Sequence, residues 1–305
     1  MKKAIVTGAN GFVGSAVCRE LTNQGVEVIA VLRSTDSDTS GPAWPNGIRT
    51  VYCDLEGISR LPEIVKDRDI DAFYHFAWAG SAGPLRGDYA VQINNVRYTC
   101  DAVRACEGLG CGRFIFAASI MEYEILSTME SNAAPGINTV YSSAKLSADY
   151  IARTVAANSG IDYIRAVISN IYGPGERSPR LINSSIRKML RGEHCAFSSG
   201  LQMYDFIYID DAAKAFFAIG EKGLPNKAYY IGSQRPRPLK DFLLEMRDAI
   251  NPDIEIGLGE LPFDGKSLSY REFDTKAVEK DTGFVPQIGF REGIIYTSKW
   301  IKEND

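Results

Sequence analysis

Histidine is nearly absent from this chain of 305 residues: His75 and His194 are the only two and stand far apart. The six cysteines, at positions 18, 53, 100, 106, 111 and 195, show none of the paired spacings of a thiolate metal site. No metal is therefore expected, and the thiols read as the reduced cysteines of a cytoplasmic protein. A basic surplus is missing too: 34 Lys and Arg stand against 38 Asp and Glu, and a net charge of −4 offers no field to hold nucleic acid or an anionic membrane. No uninterrupted stretch approaches the roughly 20 apolar residues of a membrane helix. Met1-Lys2-Lys3 runs straight into a short strand pattern with no cleavage site behind it, so no signal peptide is expected.

What is present is a composition that affords a core, 45% hydrophobic and 24% charged. Short β-branched or aromatic runs recur as AIV (4–6), VIAVL (28–32), TVYC (50–53), AFYHFA (72–77), RFIFAAS (113–119) and DYIRAVI (162–168). Amphipathic stretches at helical spacing lie between them, notably 11–24, 88–109 and 141–158. Strands alternating with helices predict an α/β protein with a doubly wound parallel sheet. After residue 168 the rhythm changes, with a helix expected near 180–191, a strand near 206–209 and a helix at 210–221. The expected organisation is one lobe of residues 1–168, rejoined by 201–232, and a smaller, mostly C-terminal α/β lobe of 169–200 and 233–305. Ligands of such sheets bind beyond the carboxyl ends of the strands, where Gly8, His75 and Ser119 fall.

Between the first strand and the first helix stands TGANGFVG (7–14). Its spacing, G-x-x-G-x-x-G, is one residue longer than the common dinucleotide fingerprint. Glycine lets the backbone approach a phosphate closely, and the free amides at a helix start meet the charge. At the end of the second strand, in VIAVLRST (28–35), no acid stands ready for a ribose 2′-hydroxyl; Arg33 and Ser34 form a cationic, hydroxyl-bearing corner instead. That corner predicts NADP(H), with NAD(H) as the alternative if Arg33 merely faces solvent. In VYSSAKLSADY (140–150), Tyr141 and Lys145 are four apart on one helix face, an arrangement in which the ammonium would lower the phenol's pKa and make it a usable proton donor. Ser119, ending the fifth strand, can hydrogen-bond a substrate carbonyl.

With these features the sequence resembles the extended short-chain dehydrogenase/reductase family, also called the NAD-dependent epimerase/dehydratase family. The matching stretches are TGANGFVG (7–14), Cys53-Asp54-Leu55, YHFA (74–77), INNV (93–96), FAASIMEY (116–123), YSSAK (141–145), NIYGPG (170–175), YDFIYIDDAA (204–213) and FDTK (273–276). The resemblance implies a Rossmann-type sheet, a nicotinamide dinucleotide and a nucleotide-sugar substrate. It implies Gly8, Asn10, Gly11, Phe12, Val13 and Gly14 around the pyrophosphate, with Asp54 and Leu55 by the adenine. Phe76, Ala77 and Asn95 would line the cofactor, and Ser119, Tyr141 and Lys145 would form the catalytic set. Lys145 would also hold the nicotinamide ribose. Asn170, Tyr123, Trp78, Arg86 and Arg180 are expected at the sugar nucleotide, and Tyr89 at its border. A homodimer through helices 88–109 and 141–158 is implied as well.

Two departures from the family pattern narrow the reading. Dehydratases of the family follow the catalytic hydroxyl with Asp-Glu, whereas Ile120-Met121 follow Ser119, which disfavours expulsion of water. The Arg that commonly opens the Arg-Asp-Phe motif is Tyr204, leaving Arg177, Arg180 or Arg187 to meet the phosphates, Arg180 best by position. The expectation is NADPH-dependent reduction of a nucleotide-linked 4-keto-6-deoxy-hexose, with a 4-epimerase retaining NAD as the alternative. A cofactor-sensing protein without chemistry would need the glycine turn but not Ser119, Tyr141 and Lys145 together.

Overall fold

Alternation within each strand decides the architecture. In β1 (Lys3–Thr7), Ala4 and Val6 enter one hydrophobic cluster and Ile5 another, and all three are fully buried. The same two-sided burial recurs in β2 (Glu27–Leu32), where Val28, Ala30 and Leu32 oppose Ile29 and Val31. Strands buried on both faces need cover on both, which is the condition under which parallel sheets form. In the computed structural model, which describes residues 1–33, 44, 46–128, 136, 139–263 and 267–305, helices supply that cover.

The remaining strands of this half are β3 (Ile48–Tyr52), β4 (Ala72–His75), β5 (Arg113–Ser119) and β6 (Asp162–Ile168). Its helices are α1 (Phe12–Asn23), α2 (Leu61–Ile64), α3 (Tyr89–Gly108), α4 (Glu122–Thr128) and α5 (Thr139–Asn158). The strand Ala228–Ile231 joins β6 to complete a seven-stranded sheet, ordered from that strand through β6, β5, β4, β1 and β2 to β3, with every neighbouring pair parallel. On one face α1 packs with Val17 and Leu21 beside the helix Ile209–Lys222 with Phe216 and Ile219. On the other, α3 presents Ala102, Val103 and Cys106, and α5 presents Ala148, Ala152 and Ala156. This is the doubly wound, Rossmann-type sheet expected from the alternation. Strand order reverses between β1 and β4, and the crevice opens there.

The sequence pattern places the main helices within two residues of their observed ends. The strand expected over 72–77 stops at His75, because Phe76 and Ala77 leave the sheet to floor the crevice. Beyond β6 the strand Asn170–Tyr172 pairs in parallel with Phe206–Tyr208, and Tyr172, Phe206, Phe242 and Phe290 form an aromatic cluster beneath them. Asp211, at the start of the helix Ile209–Lys222, accepts the amides of Gln287 and Ile288, both at 2.7 Å. That clamp holds the C-terminal part of the chain against the strand ends. Among the described residues no helix is long and apolar enough to cross a membrane.

Candidate active site

Two glycines make the crevice approachable. Gly8 sits at φ +67°, and a Cβ there would lie 2.7 Å from the Ala77 nitrogen; a Cβ on Gly14 would lie 2.2 Å from the Gly8 carbonyl oxygen. Both positions therefore require glycine because the turn packs against its own neighbouring backbone, and that keeps the cradle free of side chains there. Gly11 donates its amide to the Gly8 carbonyl at 3.0 Å and is the N-cap of α1, whose first turn carries no acidic residue and receives no side-chain cap. Uncapped amides of this kind suit a pyrophosphate.

From this turn a cleft of about 830 Å³ runs past the ends of β1, β4, β5 and β6 to the segment 176–183. Gly8, Asn10, Gly11, Phe12, Val13 and Gly14 line it, and Arg33 and Leu55 mark its far end. Phe76, Ala77 and Trp78 form one wall, with Ser119, Tyr141 and Lys145 at the middle. Arg86, from the segment that follows Trp78, lines it as well, together with Asn170 and Arg180. The cradle and the residues beyond it thus fit a dinucleotide along the sheet edge.

The three polar residues at the middle are held by different elements. Ser119 ends β5 and receives the Met121 amide on its hydroxyl at 3.2 Å, and its hydroxyl stands near enough to the Tyr141 phenol to favour the phenolate. Tyr141 and Lys145 are buried on the same face of α5. Lys145 donates to the Ala117 carbonyl at 2.9 Å and lies 3.7 Å from the centre of the Trp78 ring. Burial lowers its pKa to about 7, with the nearby Glu122 carboxylate opposing. The expectation that Lys145 supplies the charge acting on the phenol is corrected here. Burial pushes Tyr141 upward, and the cation that pulls hardest in the other direction is Arg86, whose guanidinium carbon lies 4.1 Å from the ring centre.

A model of the NAD dependent epimerase/dehydratase family matches residues 4–232, from β1 to the last strand of the sheet. The chain belongs to this family. Among curated proteins it is 27% identical to a dTDP-glucose 4,6-dehydratase of Escherichia coli over 99% of this chain and 94% of the other. It is 25% identical to an ADP-L-glycero-D-manno-heptose-6-epimerase of Nitratidesulfovibrio vulgaris over 88% of each. A trifunctional UDP-glucose 4,6-dehydratase/UDP-4-keto-6-deoxy-D-glucose 3,5-epimerase/UDP-4-keto-L-rhamnose-reductase of Arabidopsis thaliana is 25% identical over 99% of the chain, which spans 48% of that longer protein. Among solved structures, the Bordetella bronchiseptica enzyme WbmF in complex with NADH shares the fold at a TM-score of 0.80 and 22% identity, covering 99% of this chain and 92% of that one. A Thermotoga maritima UDP-glucose 4-epimerase with UDP-glucose does so at 0.79 and 21%, over 99% of both.

Several residues expected from the family resemblance stand elsewhere. Asn95 is buried in α3 and grips the backbone of Ala79, accepting its amide at 2.9 Å and donating to its carbonyl at 2.8 Å, so it shapes the wall from behind instead of lining the cleft. Tyr123 is drawn away from the cleft by Arg165, which donates to its hydroxyl at 3.1 Å, and by Phe273, 4.4 Å away ring to ring. Asp54 points outward at the start of a short turn whose neighbours Cys53 and Leu55 line the cleft. Tyr89 is 71% exposed at the start of α3. Of the three arginines offered for the phosphates only Arg180 lines the cleft; Arg187 is paired with Asp305 and Arg177 is exposed. Ser34 lies outside the described residues. His75 is packed at its strand end, hydrogen-bonded to Thr7 at 2.8 Å and kept neutral by burial, which lowers its pKa to about 3.

Behind Ser119 lies a buried ionic group that none of the sequence motifs includes. Glu122 is fully buried, accepts the Ser119 amide at 2.8 Å and pairs with Arg165 of β6 at 2.5 Å. Arg165 also pairs with Asp149 at 3.0 Å, and Asp149 follows Lys145 by one helical turn. A signal was available: Tyr141, Lys145 and Asp149 recur at i, i+4 and i+8, and an arginine inside the apolar run DYIRAVI demands a buried acid.

Proposed function

We propose that this protein reduces the 4-keto group of a nucleoside-diphosphate 4-keto-6-deoxy-hexose. The observation that carries the reading is the meeting of Ser119, Tyr141 and Lys145 at the middle of a cleft that begins at the glycine cradle. A bound nicotinamide dinucleotide supplies the hydride. Tyr141 gives its phenolic proton to the ketone oxygen, Ser119 hydrogen-bonds that oxygen, and the cationic surroundings, Arg86 first, stabilise the phenolate left behind. Burial brings the pKa of Lys145 to about 7, and in this reading Lys145 holds the nicotinamide ribose and returns the proton. Arg180 meets the diphosphate. Arg33, exposed at the end of β2 without an acid beside it in sequence, supports NADPH as the reductant; the family's own description supports NAD.

Dehydration fits less well. Ile120 and Met121 line the cleft where an acid would be needed, and Glu122 is turned inward onto Arg165. A 4-epimerase is favoured by structural neighbours such as a UDP-glucuronic acid 4-epimerase from Bacillus cereus in complex with NAD. A panel of nucleoside-diphospho-4-keto-sugars, each offered with NADPH and with NADH, tests the reading. Consumption of reduced dinucleotide in proportion to ketone supports it. Interconversion of NDP-hexoses without added reductant replaces it with the epimerase. A homodimer joined through α3 and α5 belongs to the same proposal, supported by the exposed Ile93, Tyr150 and Ile151 on those helices.

A further inference from the structure

Gln92 of α3 belongs to none of the motif stretches, yet it is buried and its carboxamide is engaged at both ends. Its Oε1 accepts the Trp78 indole N–H at 2.9 Å, and its Nε2 donates to the carbonyls of Gly80 at 3.1 Å and Leu85 at 2.9 Å. An indole N–H only donates and a carbonyl only accepts, so these partners fix which end of the amide is which. Gly80 and Leu85 form the neck of the loop that follows β4: a Cβ on Gly80 would lie 2.7 Å from the Leu85 Cβ and 2.8 Å from its carbonyl oxygen. One side chain thus ties the loop at its entry, Trp78, at its neck, Gly80, and at its exit, Leu85. Asn95, on the same helix, holds the entry at Ala79. What the loop carries is the cover of the reacting pair. The Trp78 ring centre lies 3.7 Å from the Lys145 Nζ, and the ring meets that of Tyr141 edge-on at 6.0 Å between centres. Arg86, the residue after Leu85, lays its guanidinium carbon 4.1 Å from the Tyr141 ring centre and donates to the Ser81 carbonyl of the same loop at 3.2 Å. A cation–π contact tolerates sliding across the ring, whereas hydrogen bonds are directional, so the amide and not the rings sets these positions.

We propose that Gln92 is a positioning residue for the reacting pair: by pinning the entry, neck and exit of the loop 78–86, it holds the Trp78 ring over Lys145 and the Arg86 guanidinium over Tyr141. The inference rests on the catalytic reading above, which makes Tyr141 and Lys145 the reacting pair, but its test needs no substrate. Gln92→Met keeps the length and the burial of the side chain and removes every hydrogen bond of the amide. The loop then loses its fixed place, and both covers leave the pair.

The experiment is a double-mutant cycle read by 15N NMR of the indole N–H signals of the full chain. The tryptophans are Trp44, Trp78 and Trp300, and the Trp78 signal is assigned by its loss in Trp78→Phe. Lys145→Met removes the ammonium against the Trp78 ring, so it should move the Trp78 signal and leave those of Trp44 and Trp300, which pack with the hydrophobic cluster on the other face of the sheet. In the Gln92→Met background the same substitution should leave the Trp78 signal nearly in place. A Trp78 shift as large in folded Gln92→Met as in wild type overturns the proposal, because the ring then keeps its place without the amide. If Gln92→Met does not fold, Gln92→Asn, which keeps the amide but withdraws it by one methylene, is held to the same outcome. The Arg86 half is read from the Tyr141 ionisation: Arg86→Met should raise its midpoint less in the Gln92 variant than in wild type, and equal rises overturn that half. A protein that turns over no keto-sugar yet loses these couplings would sink the functional reading and leave this one standing.

Discussion

Gly8 and Gly160 share a backbone φ of +67° but not a neighbourhood, and the pair isolates the close approach on which the cofactor cradle depends. Alanine at either position must adopt a left-handed conformation, at a cost of roughly 1–2 kcal/mol. At Gly160 nothing lies within 4 Å of the added Cβ, so that cost stands alone. At Gly8 the Cβ would meet the Ala77 nitrogen at 2.7 Å and the Ala77 Cα at 2.9 Å, and these are backbone atoms just past β4, with the Ala77 amide donating to the Thr7 hydroxyl at 3.4 Å. Forcing them apart adds about 1–3 kcal/mol of overpacking. Gly8→Ala should therefore lose about 2–5 kcal/mol and Gly160→Ala about 1–2, a difference readable in urea unfolding followed by far-UV circular dichroism. Dinucleotide affinity should fall in Gly8→Ala and hold in Gly160→Ala. Equal stability losses would refute the reasoning, because they would mean that Gly8 does not press against Ala77.

Tyr141→Phe should abolish reduction while leaving dinucleotide binding intact; turnover within a few-fold of wild type would remove the phenol from the mechanism. Arg86→Met should raise the ionisation midpoint of Tyr141, measured as tyrosinate absorbance against a Tyr141→Phe baseline, because the cation nearest the ring has gone. Arg33→Ala should weaken NADPH binding more than NADH binding, and equal effects would return the choice of cofactor to NAD. Lys145 gives a stability test. Its folded pKa, about 7, lies below the unfolded 10.5, so between those values the unfolded chain binds more protons and stability rises with pH. The melting temperature of wild type relative to Lys145→Met should climb from pH 7 to pH 9, and a flat difference would contradict the burial of this ammonium.

The sheet was legible because its information is local: β-branched runs and helical periodicity are written in consecutive residues. The glycine turn was legible for the same reason, since Gly8, Gly11 and Gly14 stand in one loop. Asn95 and Tyr123 were misplaced because motif position says which element bears a residue but not what competes for its side chain. Asn95 is claimed by the backbone of Ala79 and Tyr123 by Arg165 and Phe273, partners 16, 42 and 150 positions away. The phenol's electrostatics failed for a related reason. Helical spacing put Tyr141 beside Lys145, but the guanidinium over its ring arrives from the segment between β4 and α3, and only the fold brings it there.

The residues after Ser119 connect this lesson to chemistry. Ile120 is buried with Tyr230, Leu268 and Tyr270 in a small apolar cluster, and two residues on Glu122 faces Arg165 instead of the cleft. An acid three residues from the reactive hydroxyl is thereby spent on charge balance. Under the proposed reading, the Tyr141 phenol, with Ser119 and Lys145 beside it, is the proton donor that the described residues bring to the reaction centre, a set that suffices for carbonyl reduction. Moving the carboxylate into the cleft would require breaking its pair with a buried arginine, a loss of about 3–5 kcal/mol, so the inward orientation of Glu122 is itself an argument for hydride transfer without elimination.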